Sequence, residues 1–254
     1  MKHSLLAIFS FISMSPLLAQ DNYEIQVYAS PTLDKHTTIF ELHSNYTFNG
    51  EKLVKEGVRP SYHALHETLE ITHGFTDNFE MGFYLFSNYT KTYGYQLVGV
   101  HVRPRVRVPL KWKWPFGASL SAEVGYQGKN YSADTWSVEL RPIFDKQFNK
   151  VYFSFNPVLG IGLKGVSSDH TPAFEPAFKL AFSIPKATLG VEYYGSLGQL
   201  NQIPGWKGQE HALFFVTDLY VNPKWEFNFG PGWGLTPATD KFIFKSYIGR
   251  RIGK

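Results

Sequence analysis

Residues 62–87 read YHALHETLEITHGFTDNFEMGFYLFS, two extended runs joined by a short Gly/Asp/Asn turn. In the first run Leu65, Leu69 and Ile71 share one parity, while His66, Thr68, Glu70 and Thr72 hold the other. The second run puts Phe79, Met81, Phe83 and Leu85 on one parity. Strand side chains alternate between faces, so a period of two separates an oily face from a wet one and is incompatible with a helix. Gly74-Phe75-Thr76-Asp77-Asn78 supplies residues that tolerate a tight backbone bend. The stretch therefore reads as a β-hairpin.

The same unit recurs to the C-terminus. After a short lead-in over residues 23–30, strands are expected at residues 37–48, 62–74, 78–88, 95–108, 116–127, 132–144, 151–163, 173–184, 187–196, 210–221, 224–233 and 241–251. The connections after the even-numbered strands are mostly tight: residues 74–78, 109–115, 145–150, 185–186 and 222–223. Several of the others are longer, at residues 49–61, 164–171 and 197–209. Short turns at one end and long loops at the other are the signature of an outer-membrane barrel. The expected fold class is all-β, a transmembrane antiparallel up-and-down β-barrel of about twelve strands. An even strand count places both termini at the short-turn, periplasmic end.

Which face meets lipid follows from the side chains. Val98, Val100, Val102, Val106 and Val108 share a parity opposite His101, Arg103, Arg105 and Arg107. Residues 116–127 set Phe116, Leu120, Val124 and Tyr126 against Ser119, Ser121, Glu123 and Gln127. A soluble barrel would turn the oily rows inward and load the outer face with Lys and Glu. Here the polar parity is rich in Gly, Ser, Thr and Asn, and the oily parity is strongly aromatic. Aromatics make up 17% of the chain and charged residues 18%, the latter low for a soluble protein. Trp225 and Trp233 lie on one face, roughly 20 Å apart along a tilted strand. That matches an apolar band with aromatic girdles at its rims. Trp112 and Trp114, in a short turn, belong near the periplasmic rim.

Residues 1–19 read as a secretory signal, with Lys2 and His3 ahead of an apolar core and Ala19 as the last residue before cleavage. That core is shorter than the roughly 20 residues of a spanning helix. Residues 20–254 then form the barrel, located in a bacterial outer membrane. The chain has no cysteine, which excludes disulfides and a lipid anchor on an N-terminal cysteine. The formal charge of +4 is modest and scattered, so nucleic acid is not an expected partner.

With the polar parity inside, the lumen receives Glu41, His43, His66, Glu70, His101, Glu123, Glu139, Glu175, Lys179, Glu192, Asp218 and Glu226, and the basic residues Arg103, Arg105, Arg107 and Arg141. Charges in a narrow barrel must be paired or hydrated. An interior ion-pair network that fixes barrel shape is the favoured role. The alternative is a basic ladder of Arg103, Arg105 and Arg107 that attracts anionic solutes. Glu41, His43, His66 and Glu70 carry ligand types suited to a transition metal. No tight ligand motif supports a metal, and no cofactor is expected. An outer-membrane lipid hydrolase would need a Ser beside a His base. No Gly-x-Ser-x-Gly occurs, and adjacent His43 and Ser44 face opposite sides, so no enzyme is expected.

The hairpin HETLEITHGFTDNFEMGFYLF resembles the outer-membrane barrels named after the MetA pathway of phenol degradation. The matching features are the Gly-Phe-Thr-Asp turn at residues 74–77 followed by Phe79-Glu80-Met81-Gly82. LGVEYYGSLGQL (189–200) and WEFNFGPGWGLTPATD (225–240) look like that family's late strands. The resemblance implies a Gram-negative outer-membrane barrel that passes small hydrophobic or aromatic compounds, with outer-membrane lipids and the barrel-assembly machinery as partners. It carries over no catalytic residue. The chain ends Arg250-Arg251-Ile252-Gly253-Lys254 instead of on an aromatic, a departure from the usual assembly signal. The expected role is passive passage or binding of a small solute whose identity is unknown. A closed structural or surface-interaction barrel is the alternative.

Overall fold

Alternation of this kind satisfies every backbone group only if the sheet closes, because an open edge in lipid leaves donors and acceptors unpaired. A computed structural model of the protein, describing residues 22–167 and 169–253, shows such closure. The signal reading of residues 1–19 lies outside the described residues. The strands are β1 (Thr38–Asn49), β2 (Ala64–Thr76), β3 (Phe79–Thr90), β4 (Gly94–Arg107), β5 (Gly117–Gln127), β6 (Asp134–Phe148), β7 (Val151–Gly165), β8 (Ala173–Ile184), β9 (Ala187–Ser196), β10 (Glu210–Leu219), β11 (Trp225–Gly234) and β12 (Phe242–Ile252). Each pairs antiparallel with its sequence neighbours, and β12 closes on β1 with Thr38 opposite Ile252. The twelve-stranded antiparallel barrel expected from the alternation is the observed fold.

Asp77 and Asn78 alone separate β2 from β3, and Pro185 and Lys186 separate β8 from β9. At the opposite end, residues 50–63 join β1 to β2 and residues 197–209 join β9 to β10. One turn is tighter than expected. β6 continues to Phe148, so the bend is Asn149-Lys150 and not residues 145–150. Asn149 takes the left-handed conformation (φ 52°) that such a turn demands and that Asn tolerates.

The oily rows face outward. Phe40, Leu42, Leu69, Phe83, Leu85, Leu120, Val124, Phe153, Leu180, Phe215, Phe244 and Ile248 are exposed, while Glu41, His43, Glu70, Arg103, Ser121, Asn156, Glu192 and Lys245 are buried. A continuous apolar belt of this extent is far beyond what a water-soluble surface carries, and lipid is the solvent that fits it. One valine departs from the expected row. β3 and β4 shift register where Phe86 pairs with Gly99 but Ser87 pairs with Leu97. The bulge leaves Val98 unpaired and turned inward, 3% exposed, while Leu97 and Tyr95 take the outer face. One inserted residue reverses the parity, which strict alternation cannot register.

The larger departure is the lead-in. Residues 22–33 run inside the barrel, and exposed residues 34–36 turn at the rim into β1. Asn22 Nδ2 donates to Asp240 Oδ2 (3.0 Å), in the loop between β11 and β12 at the long-loop end. Leu33 N donates to Glu80 Oε2 (2.7 Å) near the start of β3, at the short-turn end. The described chain thus begins at the long-loop end, crosses the lumen, and turns into β1. The C-terminal strand ends at the short-turn end, but the expectation that both termini lie there is corrected.

Candidate functional site

The lumen is the site, and the segment inside it is held by wall side chains. Asn156 treats the Tyr28 peptide as a strand neighbour would. Its Oδ1 accepts from Tyr28 N (2.8 Å) and its Nδ2 donates to Tyr28 O (3.1 Å), which also accepts from Ser154 Oγ (2.7 Å). Asp145 takes Ser30 N (3.0 Å) and Ser30 Oγ (2.6 Å). Thr68 Oγ1 donates to Tyr23 O (2.7 Å), and Lys245 Nζ to Ile25 O (2.9 Å). Among the described residues, no backbone–backbone hydrogen bond joins residues 24–33 to a strand. Buried peptide groups need partners, and here side chains supply them.

The expected basic ladder points at this segment. Arg105 donates from Nη1 to Ala29 O (3.0 Å) and from Nη2 to Pro31 O (3.0 Å), and its Nε donates to Glu80 Oε1 (2.7 Å). Arg103 pairs with Glu70 Oε1 (2.7 Å) and also donates to the Tyr84 hydroxyl. Arg141 grips Glu139 with two hydrogen bonds (2.6 and 3.0 Å) and reaches Gln26 O (3.3 Å). The guanidinium carbons of Arg103 and Arg141 lie 4.7 and 4.9 Å from the Tyr28 ring centre, within cation–π range. Arg107 is only half-buried, at the rim, with Nε 3.3 Å from Asn78 Oδ1.

The remaining expected lumen residues form separate groups. His101 Nδ1 lies 2.5 Å from Glu123 Oε1. Lys179 bridges Asp218 (2.8 Å) and Glu192 (3.0 Å), and Glu192 also pairs with Lys245. Glu226 pairs with Arg251 at the short-turn rim. Glu41, His43 and Glu70 have ligand-type atoms all within 4.8 Å of one another, whereas His66 turns its ring edge-on to Tyr23 (4.9 Å). His43 is inside and Ser44 is on the other face, so that pair forms no dyad. Trp112, Trp114 and Trp225 stand at the short-turn end and Trp233 at the other, where Trp136 joins it.

Sequence reasoning missed Glu80, Tyr84, Tyr28, Asn156, Asp145 and Lys245. Glu80 stands on the inward parity between Phe79 and Met81, and Lys245 on the inward parity beside Phe244, a signal the sequence carries. The lumen is also less polar than expected. Ile25 and Val27 pack with Tyr194, Phe214, Val216 and Ile243, and Tyr23 with Tyr84, Phe86 and Val98. These two clusters fill the middle of the barrel. Between the segment and the barrel wall a cavity of about 1200 Å³ remains at the short-turn end, reaching from Glu41 and Glu70 to Lys179, Asp218 and Tyr247.

A closed meander with a lipid-type belt, two tryptophan levels and a charged interior has the fold of an outer-membrane β-barrel. No protein-family model matches the chain, and no curated protein matches it. Solved structures do. The KdgM porin superposes with a TM-score of 0.53 at 9% identity, over 84% of this chain and 98% of that one. The NanC porin gives 0.52 at 10% identity, over 85% and 99%. KdgM porin in complex with disordered oligogalacturonate gives 0.50 at 8% identity, over 86% and 99%. At these identities the likeness is one of fold.

Proposed function

We propose that the chain is an outer-membrane channel for small solutes whose lumen is occupied, end to end, by its own N-terminal segment. The observation that carries this reading is how the segment is held. Wall side chains bind its peptide groups and no sheet ladder includes it, so it can leave without opening the barrel. Its Tyr23, Ile25 and Val27 fill apolar slots lined by Tyr84, Phe86, Phe214 and Tyr194, while its Tyr28 ring lies against the guanidinium groups of Arg103 and Arg141. A small solute with an apolar or aromatic body suits those slots once they are vacated, in keeping with the phenol-pathway resemblance. The short-turn end faces the periplasm, and the cavity there is the vestibule. A polyanion such as oligogalacturonate suits this lumen poorly, because its arginines already hold carboxylates and segment carbonyls. No catalytic step is assigned to it.

The chain's lack of cysteine permits a direct test. A Cβ built on Gly117 would meet Ser30 Oγ at 2.2 Å and Asp145 Oδ1 at 2.0 Å, so Ser30→Cys with Gly117→Cys sets two thiols side by side once the Asp145 side chain swings away. In planar bilayers the oxidised double variant is expected to give no openings, and the reduced one, its Asp145–Ser30 clamp loosened, to open at least as often as the parent. Equal conductance in both states would reject displacement of the segment as the opening step.

A further inference from the structure

We infer that Glu41, His43 and Glu70 form a binding site for one divalent transition-metal cation on the lumen wall. β1 and β2 pair Glu41 directly with Glu70, both pointing inward and both buried. Like charges directly opposite on a sheet repel, and burial strengthens the repulsion. Among the described residues, Glu41 makes no hydrogen bond and no ion pair. His43 Nε2 and Glu70 Oε2 are both buried without a hydrogen-bond partner, and they face each other at 3.5 Å. An imidazolium–carboxylate pair closes to about 2.8 Å. A gap near 3.4 Å is instead the edge of a tetrahedron whose ligands stand about 2.1 Å from a central ion.

The surroundings agree with that assignment. Glu70 uses only its other oxygen for hydrogen bonding, accepting from Arg103 Nη2 (2.7 Å) and Thr72 Oγ1 (2.6 Å). Such outer partners fix a ligating carboxylate and leave the second oxygen directed at the ion. Arg103 does not neutralise the group by itself, since its other terminal nitrogen faces Glu80 (3.5 Å). Glu41 and Glu70 line the short-turn cavity, which gives an ion an entry path and leaves room for water in a fourth position. One imidazole with two carboxylates suits zinc, cobalt or nickel, and is too few oxygens for calcium or magnesium. The inference is independent of solute passage.

The test uses the folded full-length barrel in detergent, stripped with chelator and titrated with zinc, cobalt or magnesium. Zinc is expected to bind at one equivalent and raise the unfolding temperature, and magnesium to do neither. His43→Gln should weaken zinc binding at least tenfold, while His66→Gln leaves it unchanged. Cobalt should give the visible absorption of a tetrahedral site, lost in Glu41→Gln. Glu41→Gln also relieves the facing carboxylates, so it should stabilise the metal-free barrel and abolish the zinc-dependent gain. Absence of zinc binding, or equal zinc binding by the parent, His43→Gln and Glu41→Gln, would overturn the site.

Discussion

Arg105 shows what a buried charge does in this lumen. One guanidinium holds the Glu80 carboxylate and two carbonyls of the segment, at Ala29 and Pro31. Glu80 in turn accepts from Leu33 N (2.7 Å), so the two residues clamp one stretch from both sides. Arg105→Gln leaves Glu80 buried with a weaker partner, and removing one member of a buried pair costs about 3–5 kcal/mol. We expect a loss of that order in urea unfolding of the detergent-folded barrel, together with more frequent openings in bilayers. Adding Glu80→Gln should cost much less on the Arg105→Gln background than on the parent. Additive losses would mean that the two are not coupled. Glu80 was legible in the sequence, because it stands between Phe79 and Met81 on the inward parity. The Ala29 and Pro31 carbonyls were not, since a peptide group held by side chains leaves no periodic mark.

At the scale of elements, the strands were nearly all readable and the lumen segment was not. Twelve alternating runs define twelve strands because each strand must present one face to lipid and the other to the interior. Val98 escaped because a bulge changes the parity without changing the composition. Residues 23–28, Tyr-Glu-Ile-Gln-Val-Tyr, also alternate, and they are extended as the pattern implies. Nothing in that pattern says that the run lies along the barrel axis and not in the sheet. The distinction has a measurable consequence. Strand amides are locked in ladders on both sides, whereas Tyr28 N, Ser30 N and Leu33 N rest on Asn156, Asp145 and Glu80 side chains. Their opening needs only local detachment. Hydrogen exchange read by mass spectrometry should show residues 23–34 exchanging at least tenfold faster than residues of β1. Equal protection would place the segment in the same cooperative unit as the sheet and would count against its displacement.

Over the whole molecule, the net charge of +4 and the field inside the barrel have opposite signs. Lys52, Lys55, Lys91, Lys111, Lys113, Lys129, Lys150 and Lys164 are exposed in turns, loops and strand ends, where water screens them. Among the described residues the buried carboxylates Glu41, Glu70, Glu80, Glu123, Asp134, Asp145, Glu175, Glu192 and Asp218 of the strands outnumber the buried cations Arg103, Arg105, Arg141, Lys179 and Lys245. Those cations are already engaged, with Glu70, Glu80, Glu139, Glu192 and Asp218 as partners. A basic row read from one strand therefore does not set the sign of the lumen. The neighbouring strands answer it, and a closed sheet brings all of them to one axis. When the N-terminal segment is displaced, the free lumen should prefer cations. In bilayers under a potassium chloride gradient, the reversal potential of the open state is expected to carry the sign of potassium permeation. The preference should shrink as the salt rises from 0.1 M to 1 M, where the screening length falls from about 10 Å to about 3 Å. Chloride preference, or a preference indifferent to salt, would return the arginine row to the role of anion filter and make the carboxylates mere braces.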